Sequence, residues 1–439
     1  MLLKNQSYTG YWYIPSEEKI SIKWYGTLTI NENKEISLDF VLSREDLYNC
    51  FPNLDNVLNN INQQVSIPII CGYGKNVKTQ NDLGFTLLDL QIIGYSSSGL
   101  VSLKLEAKYA LTYYHFKDTE DLLFSSSVVK FEGFDQWMDK NGFSILECEQ
   151  SKQLSTNIKY TQPNPIELLN NDIVKIYFYF RASAPAFFIR SHQTEITQSL
   201  HLNFEFKSPI PLEEVKFYNE KIQNLFTFIF SQPSQRIVSQ VNTNHTTDST
   251  ASDLIYSDLV KNKSNDFSKW NFIFTYSEVE EQFPIIFQNW LKFYNDYEPA
   301  LVQYFDNLYL NNGHIISRFI STLSILEIYV SRKCPNLDKK GSGLKIKLEK
   351  LILDLGEINT QLFKFKDDFS EEVNLIRKYY VHGNQVTSKI EDYMLTKEYI
   401  TGHIRSLENI FKTIILIELG FNQTDIIKFI NRQPWCWGI

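Results

Sequence analysis

The hydrophobic period of this chain changes near residue 215, and that switch restricts it to a β part followed by an α part. Before the switch, apolar and polar residues alternate. Residues 20–30 read ISIKWYGTLTI and residues 36–42 read ISLDFVL. Residues 85–93, 100–116, 174–180 and 200–206 follow the same pattern. A period of two in segments rich in β-branched and aromatic types marks half-buried strands. Residues 31–34 (NENK) form a hairpin loop on this reading, and short helices are expected over 44–63 and from Phe134. Many strands with short polar connections predict an antiparallel sandwich or barrel.

After the switch the period is helical. Residues 212–230 carry a helix out of the β part. Residues 232–253 are polar, with Pro233 and clustered Ser, Thr, Asn and Asp, and read as a mobile loop. Residues 272–276 read as one more strand. From residue 280 helices dominate. Pro284 and Pro299 suit first-turn positions. Phe319, Leu323, Leu326 and Val330 form one apolar stripe, and Ile400, Ile404, Leu407, Phe411 and Ile414 form another. Further helices are expected over 344–355 and 370–381. The fold class is therefore α+β with two domains. A β-rich domain spans 1–230, a connecting segment 231–279 and an α-helical bundle 280–439. The aromatic tail 434–439 (PWCWGI) suits docking on a partner surface.

Composition narrows the function classes. The 439 residues carry a net charge of -8, so broad coating of nucleic acid through overall charge is excluded, and any anion site must be local. With 43% hydrophobic residues, the bulk of the chain is not disordered. The longest apolar stretches fall short of a membrane span, so no membrane partner is expected. The first residues lack a signal-peptide core. The cysteines are isolated, which argues against a zinc cage or a disulfide framework and for a reducing cytoplasm. The sequence contains no phosphate-cradling glycine loop, no Gly-x-Ser-x-Gly elbow and no His-Glu-x-x-His pair. Histidines 115, 192, 201, 245, 314, 382 and 403 show no close metal-ligand spacing, and no cofactor is expected.

One stretch, EEVNLIRKYYVHGN over 371–384, carries chemistry. Phe369, Val373, Ile376 and Tyr380 form its buried stripe. Ser370 is the expected N-cap, Glu371 and Glu372 suit the first turn, and Gly383 is a helix stop. Arg377, Lys378 and His382 admit a structural role, stabilising the dipole at a helix C-terminus. They also admit a chemical one. Arginine offers a permanent charge and a bidentate fork for phosphate oxygens. Histidine moves protons near neutral pH. Together they suffice for metal-independent RNA cleavage, with the 2′-hydroxyl as internal nucleophile. On an ideal helix the two residues stand about 140° apart, so a helix end beside a groove or a two-fold dimer is needed to join them.

Arg377-x4-His382 resembles the motif of HEPN-superfamily ribonucleases. Leu326-Glu327 is similar to that family's apolar-Glu pair, and the amphipathic helix through 407–421 resembles its closing helix. The N-terminal part resembles the front domain of ApeA-type anti-phage proteins. That likeness rests on residues 10–15 (GYWYIP) with 26–28 (GTL), 131–137 (FEGFDQW) and 222–228 (IQNLFTF). The resemblance implies an abortive-infection endoribonuclease acting on host RNA, tRNA above all, when a phage-derived trigger is sensed. It also implies a homodimer or higher homo-oligomer. Its alternative is a non-catalytic HEPN dimerisation or ligand-binding module sensing a phage component. The β domain is then the place for sensing or regulation.

The resemblance implies Arg377 and His382 as catalytic. Many HEPN ribonucleases place Asn after the Arg, where Lys378 stands here. Lys378 binds phosphate or marks altered activity; Asn384 supplies the missing amide or is plain surface polarity. Glu327 orients Arg377 or His382, or is a structural carboxylate. Residues 331–350 are locally basic, and Lys345 and Lys347 within them hold RNA or sit in a solvated loop.

Overall fold

The computed structural model describes residues 5–15, 22–46, 66–98, 100–116, 118, 122–147, 156–183, 196–243, 251–256, 267–309, 314–339, 343–383 and 391–432. They form two compact units. The first comprises 1–134, 141–220 and 235–263; the second comprises 135–140, 221–234 and 264–439.

Every strand pairing in the first unit is antiparallel. Its strands are β1 (Gln6–Tyr13), β2 (Trp24–Ile30), β3 (Ile36–Leu42), β4 (Ser66–Asn76), β5 (Asp82–Ser98), β6 (Leu100–Thr112) and β7 (Leu123–Phe131). They continue as β8 (Phe143–Glu147), β9 (Thr156–Tyr160), β10 (Ile166–Asn170), β11 (Val174–Ser183), β12 (Thr197–Pro211), β13 (Arg236–Asn242) and β14 (Ser252–Ile255). The order β6-β3-β2-β1-β4-β5 closes on itself because β5 also pairs with β6. The result is a six-stranded barrel. The end of β6 passes pairing on to β14, and β13, β7, β12, β11 and β10 extend the sheet from there.

Alternation explains the barrel's filling. Tyr8, Trp12, Trp24, Leu28, Leu38, Phe40, Phe85, Leu103 and Leu105 all point inward and form one core. Trp12 is fully buried, and its indole Nε1 donates to the Gly26 carbonyl at 3.2 Å. Glycine at 72 is a packing requirement, since a Cβ there would lie 2.2 Å from Trp12 Cε3. On the outer face, Tyr25, Tyr11 and Tyr73 stand side by side on β2, β1 and β4, and all three are exposed.

The segment expected as a mobile loop, 232–253, contains β13 and the start of β14. Its polar side chains mislead because pairing uses the backbone. β13 lies between β7 and β14, and Arg236 is buried with its guanidinium 3.4 Å from the Tyr256 ring centre. Residues 235–263 thus belong to the β unit rather than to a connection. The helix expected over 44–63 is visible only at 44–46; its remainder lies outside the described residues, as does the tail 434–439.

The second unit is helical. Its elements include α1 (Phe134–Met138), the second half of α2 (Leu212–Phe230), α3 (Tyr276–Val279), α4 (Phe283–Tyr309), α5 (Ile315–Lys333) and α6 (Pro335–Lys339). α7 (Leu344–Leu355), α8 (Phe369–His382), α9 (Lys397–Glu418) and α10 (Gln423–Arg432) complete it. α4 breaks at Tyr297 (φ -126°), so Pro299 falls in the first turn of the segment beyond the kink. Both sequence stripes are buried: Phe319, Leu323, Leu326 and Val330 on α5, and Ile400 to Ile414 on α9. Tyr304 packs on Phe411 with ring centres 5.0 Å apart, joining α4 to α9.

The strand expected at 272–276 is absent. Phe272, Ile273 and Phe274 are fully buried without strand pairing, Phe274 lying against Phe421 and Phe429. A short apolar run signals burial and leaves the backbone conformation open. Among the described residues no helix is long and apolar enough to cross a membrane.

Candidate active site

Helix α8 carries the Arg-x4-His pair, and three neighbours hold it. It starts one residue before the expected Ser370, with Asp368 at the N-cap position, while Ser370 is buried in the first turn. Two first-turn carboxylates reach other helices. Glu371 pairs with Lys345 of α7 at 2.7 Å, and Glu372 accepts from the Tyr399 hydroxyl of α9 at 2.8 Å. Both acids also suit the positive helix end. Phe369, Val373 and Ile376 supply the buried stripe. Phe369 packs near the His403 ring, 5.4 Å between centres.

His403 is buried and its Nε2 lies 3.8 Å from Glu372, beyond hydrogen-bond reach. Burial pulls its pKa down to about 4. The ring is therefore neutral in the folded protein, whereas the unfolded chain takes up a proton near the ordinary value of 6.5. His403 thus contributes stability that is complete above pH 6.5 and is lost as pH falls toward 4. His403→Gln is expected to flatten the stability of the helical unit between pH 6.5 and 4. Urea titrations across that range check it, and an unchanged slope would refute the assignment.

Farther along α8, Arg377 Nη2 donates to Glu327 Oε2 of α5 at 3.3 Å. The two side chains are 29% and 26% exposed, so the pair is half-buried and still open to solvent. Lys378, the next residue, is exposed. His382 is the last helical residue and is exposed. Gly383 follows with φ +60°, the left-handed stop that glycine adopts without a Cβ penalty. Arg377 and His382 are five positions apart, about 7.5 Å along an ideal helix and about 140° around it. The helix end therefore displays an anchored guanidinium and an exposed imidazole on different sides.

The structure puts the other sequence candidates elsewhere. Lys345 is tied to Glu371 and Glu349. Lys347 is 8% exposed and donates to Ser331 Oγ at 2.8 Å, which makes it an interior cation of the bundle. Within the same basic stretch, Lys333 pairs with Glu418 and Lys350 with Asp354, so much of its charge is compensated internally. Asn384 lies outside the described residues. Among the described residues, no cluster of three or more His, Cys, Asp or Glu is placed to hold a metal.

Comparison with known families bears on this geometry. A model for ApeA N-terminal domain 1 matches residues 7–290, a span that runs from the second residue of β1 past the end of β14. A model for the Apea-like HEPN domain matches residues 301–425, a span that contains Glu327, Arg377 and His382. The chain belongs to the ApeA family. Its two-part architecture is that of an ApeA-type protein, and its helical unit is a HEPN domain. This is a family of HEPN nuclease defence proteins, and HEPN domains generally act on RNA and dimerise. No curated protein and no solved structure matches the chain.

Sequence reasoning passed over one feature of the HEPN unit. A cavity of about 740 Å³ lies against the first turn of α5 and the α9 face from Lys397 to Lys412, with Arg405 also in its lining. Their spacing of eight and seven residues keeps them within about 80° on one helix face. That periodicity is the signal that marks them in the sequence.

Proposed function

We propose that this protein is a metal-independent endoribonuclease of anti-phage defence that cleaves host RNA, with tRNA the expected substrate. The observation that carries the reading is that one helix, inside the HEPN match, carries both the half-buried Arg377 paired with Glu327 and the exposed His382. Arg377 binds the scissile phosphate and offsets the charge that builds in the transition state. His382 removes the proton from the 2′-hydroxyl or returns one to the leaving 5′-oxygen. The product strand then ends in a 2′,3′-cyclic phosphate. The divergence of the two side chains on one helix favours a homodimer, in which two copies of α8 flank one RNA groove. We place recognition of a phage-derived trigger in the β unit, whose exposed Tyr11, Tyr25 and Tyr73 offer an aromatic surface.

Cleavage of purified tRNA in EDTA, followed by mapping of the cut ends, tests this reading. Activity that disappears with EDTA would overturn it. Glu327→Gln removes the charge that holds Arg377 in place. It is expected to lower cleavage between about ten- and a hundredfold, because small displacements of a positioned group are expensive. Unchanged kinetics would remove Glu327 from the site. The exposed Lys378, where many HEPN ribonucleases carry Asn, favours a second reading, a non-catalytic HEPN module that binds a ligand. RNA binding without cleavage, with His382→Ala indistinguishable from wild type, would select it.

A further inference from the structure

The cavity against α5 and α9 is strongly cationic in a chain whose net charge is -8. Arg318, Lys397, Arg405 and Lys412 line it together with His314, and Glu408 is the one carboxylate among the described lining residues. Glu408 is already engaged: Arg318 holds it at 2.7 Å. Lys397 and Arg405 are exposed there, and Lys412 lines the same wall and is partly exposed. The positive ends of α5 and α9 add to the same field, since His314 and Ile315 open α5 and Lys397 opens α9. Concentrating like charges around one concavity is unfavourable without an anion to receive.

The lining also indicates the kind of anion. Leu308, Ile315 and Ile404 supply its apolar part, and among the described lining residues none is Phe, Tyr or Trp. A free nucleotide gains from an aromatic surface on which its base stacks. Among the described lining residues, the four Lys and Arg side chains, which offer ion pairs to phosphates, outnumber the neutral polar side chains Ser231, Thr401 and Asn409. About 740 Å³ accommodates a short length of strand rather than a single phosphate ion.

We infer that this cavity is a sequence-independent seat for the phosphate backbone of RNA, separate from the Arg377–His382 pair. It rests on the ribonuclease reading for its substrate class, while its test does not depend on cleavage. The His382→Ala protein serves as parent, so that the probe is not consumed. Binding of a short fluorescent RNA is measured by anisotropy over a salt series. The comparison is with the same full chain carrying Lys397→Gln, Arg405→Gln and Lys412→Gln, and with the single changes.

The triple variant is expected to bind at least about tenfold more weakly, with a log–log salt slope shallower by about 2, from three lost phosphate contacts at roughly 0.7 each. Thermal unfolding matched to the parent shows that the fold is kept; if the triple variant is unstable, the single variants carry the comparison. Equal affinity and slope would overturn the proposal, as would a parent that binds no RNA. Tripolyphosphate or ATP bound by the parent and lost in the variant, with RNA binding unchanged, would overturn the RNA assignment in favour of a small ligand. RNA held through the cavity by a wild-type chain that never cuts would sustain this proposal and defeat the ribonuclease reading.

Discussion

His382→Ala is expected to reduce RNA cleavage by about 10²- to 10⁴-fold, the usual share of general acid–base transfer. The substitution is structurally mild. His382 is exposed at the last position of α8, and Gly383 already provides the helix stop. Thermal unfolding should therefore stay at the wild-type midpoint while cleavage products vanish from total-RNA gels after induction. Arg377→Ala is expected to lose about as much activity, since it removes the fork that meets developing phosphate charge. Its cost in stability is small, about 1 kcal/mol or less, because its pair with Glu327 remains open to solvent. Arg377→Lys keeps the charge without the fork and should fall between wild type and alanine. Full cleavage by the Arg377→Ala, His382→Ala double variant would end the proposed mechanism.

The largest stability effect belongs to the barrel. Trp12→Ala is expected to cost about 3–5 kcal/mol, the range for emptying a fully buried large aromatic site. Phe85 is 6.0 Å from the indole between ring centres, and Gly72 and Gly74 leave the space that the ring fills. A rigid closed wall cannot collapse into such a void. Gly72→Ala attacks the same contact from the other side. Its Cβ would stand 2.2 Å from Trp12 Cε3 and 2.7 Å from the Tyr11 carbonyl, for which about 1–3 kcal/mol of overpacking strain is expected. Combining Gly72→Ala with Trp12→Phe should recover part of the loss, since the two sites share one space. Hydrogen exchange across β1 and β4 measures the barrel by itself, which matters in a chain of two units. Near-wild-type protection in Trp12→Ala would refute the packing account.

Local signals were read from the sequence with good fidelity. The helix expected over 344–355 is α7 at those bounds, and the strand expected over 36–42 is β3. In both segments the buried face repeats at the period of the element itself. Where burial and periodicity part company, the reading fails. The buried run Phe272 to Phe274 packs without a strand ladder, and the polar β13 pairs through its backbone between β7 and β14. The site divides in the same way. Arg377, His382 and the helix that carries them follow from spacing and from Gly383.

The sequence by itself determined the β-then-α order, the two apolar stripes of the bundle and the helix end that displays Arg377 and His382. These depend on neighbours a few residues away, which composition and period encode directly. Tertiary structure decided what those neighbours could not. It closed β5 on β6 into a barrel, brought Glu327 to Arg377 across 50 residues of chain and buried Lys347 against Ser331. It also gathered Arg318 of α5 with Lys397, Arg405 and Lys412 of α9 around one cavity. Such contacts depend on how whole helices and strands pack, and a side chain's charge or size does not record which distant element will lie against it.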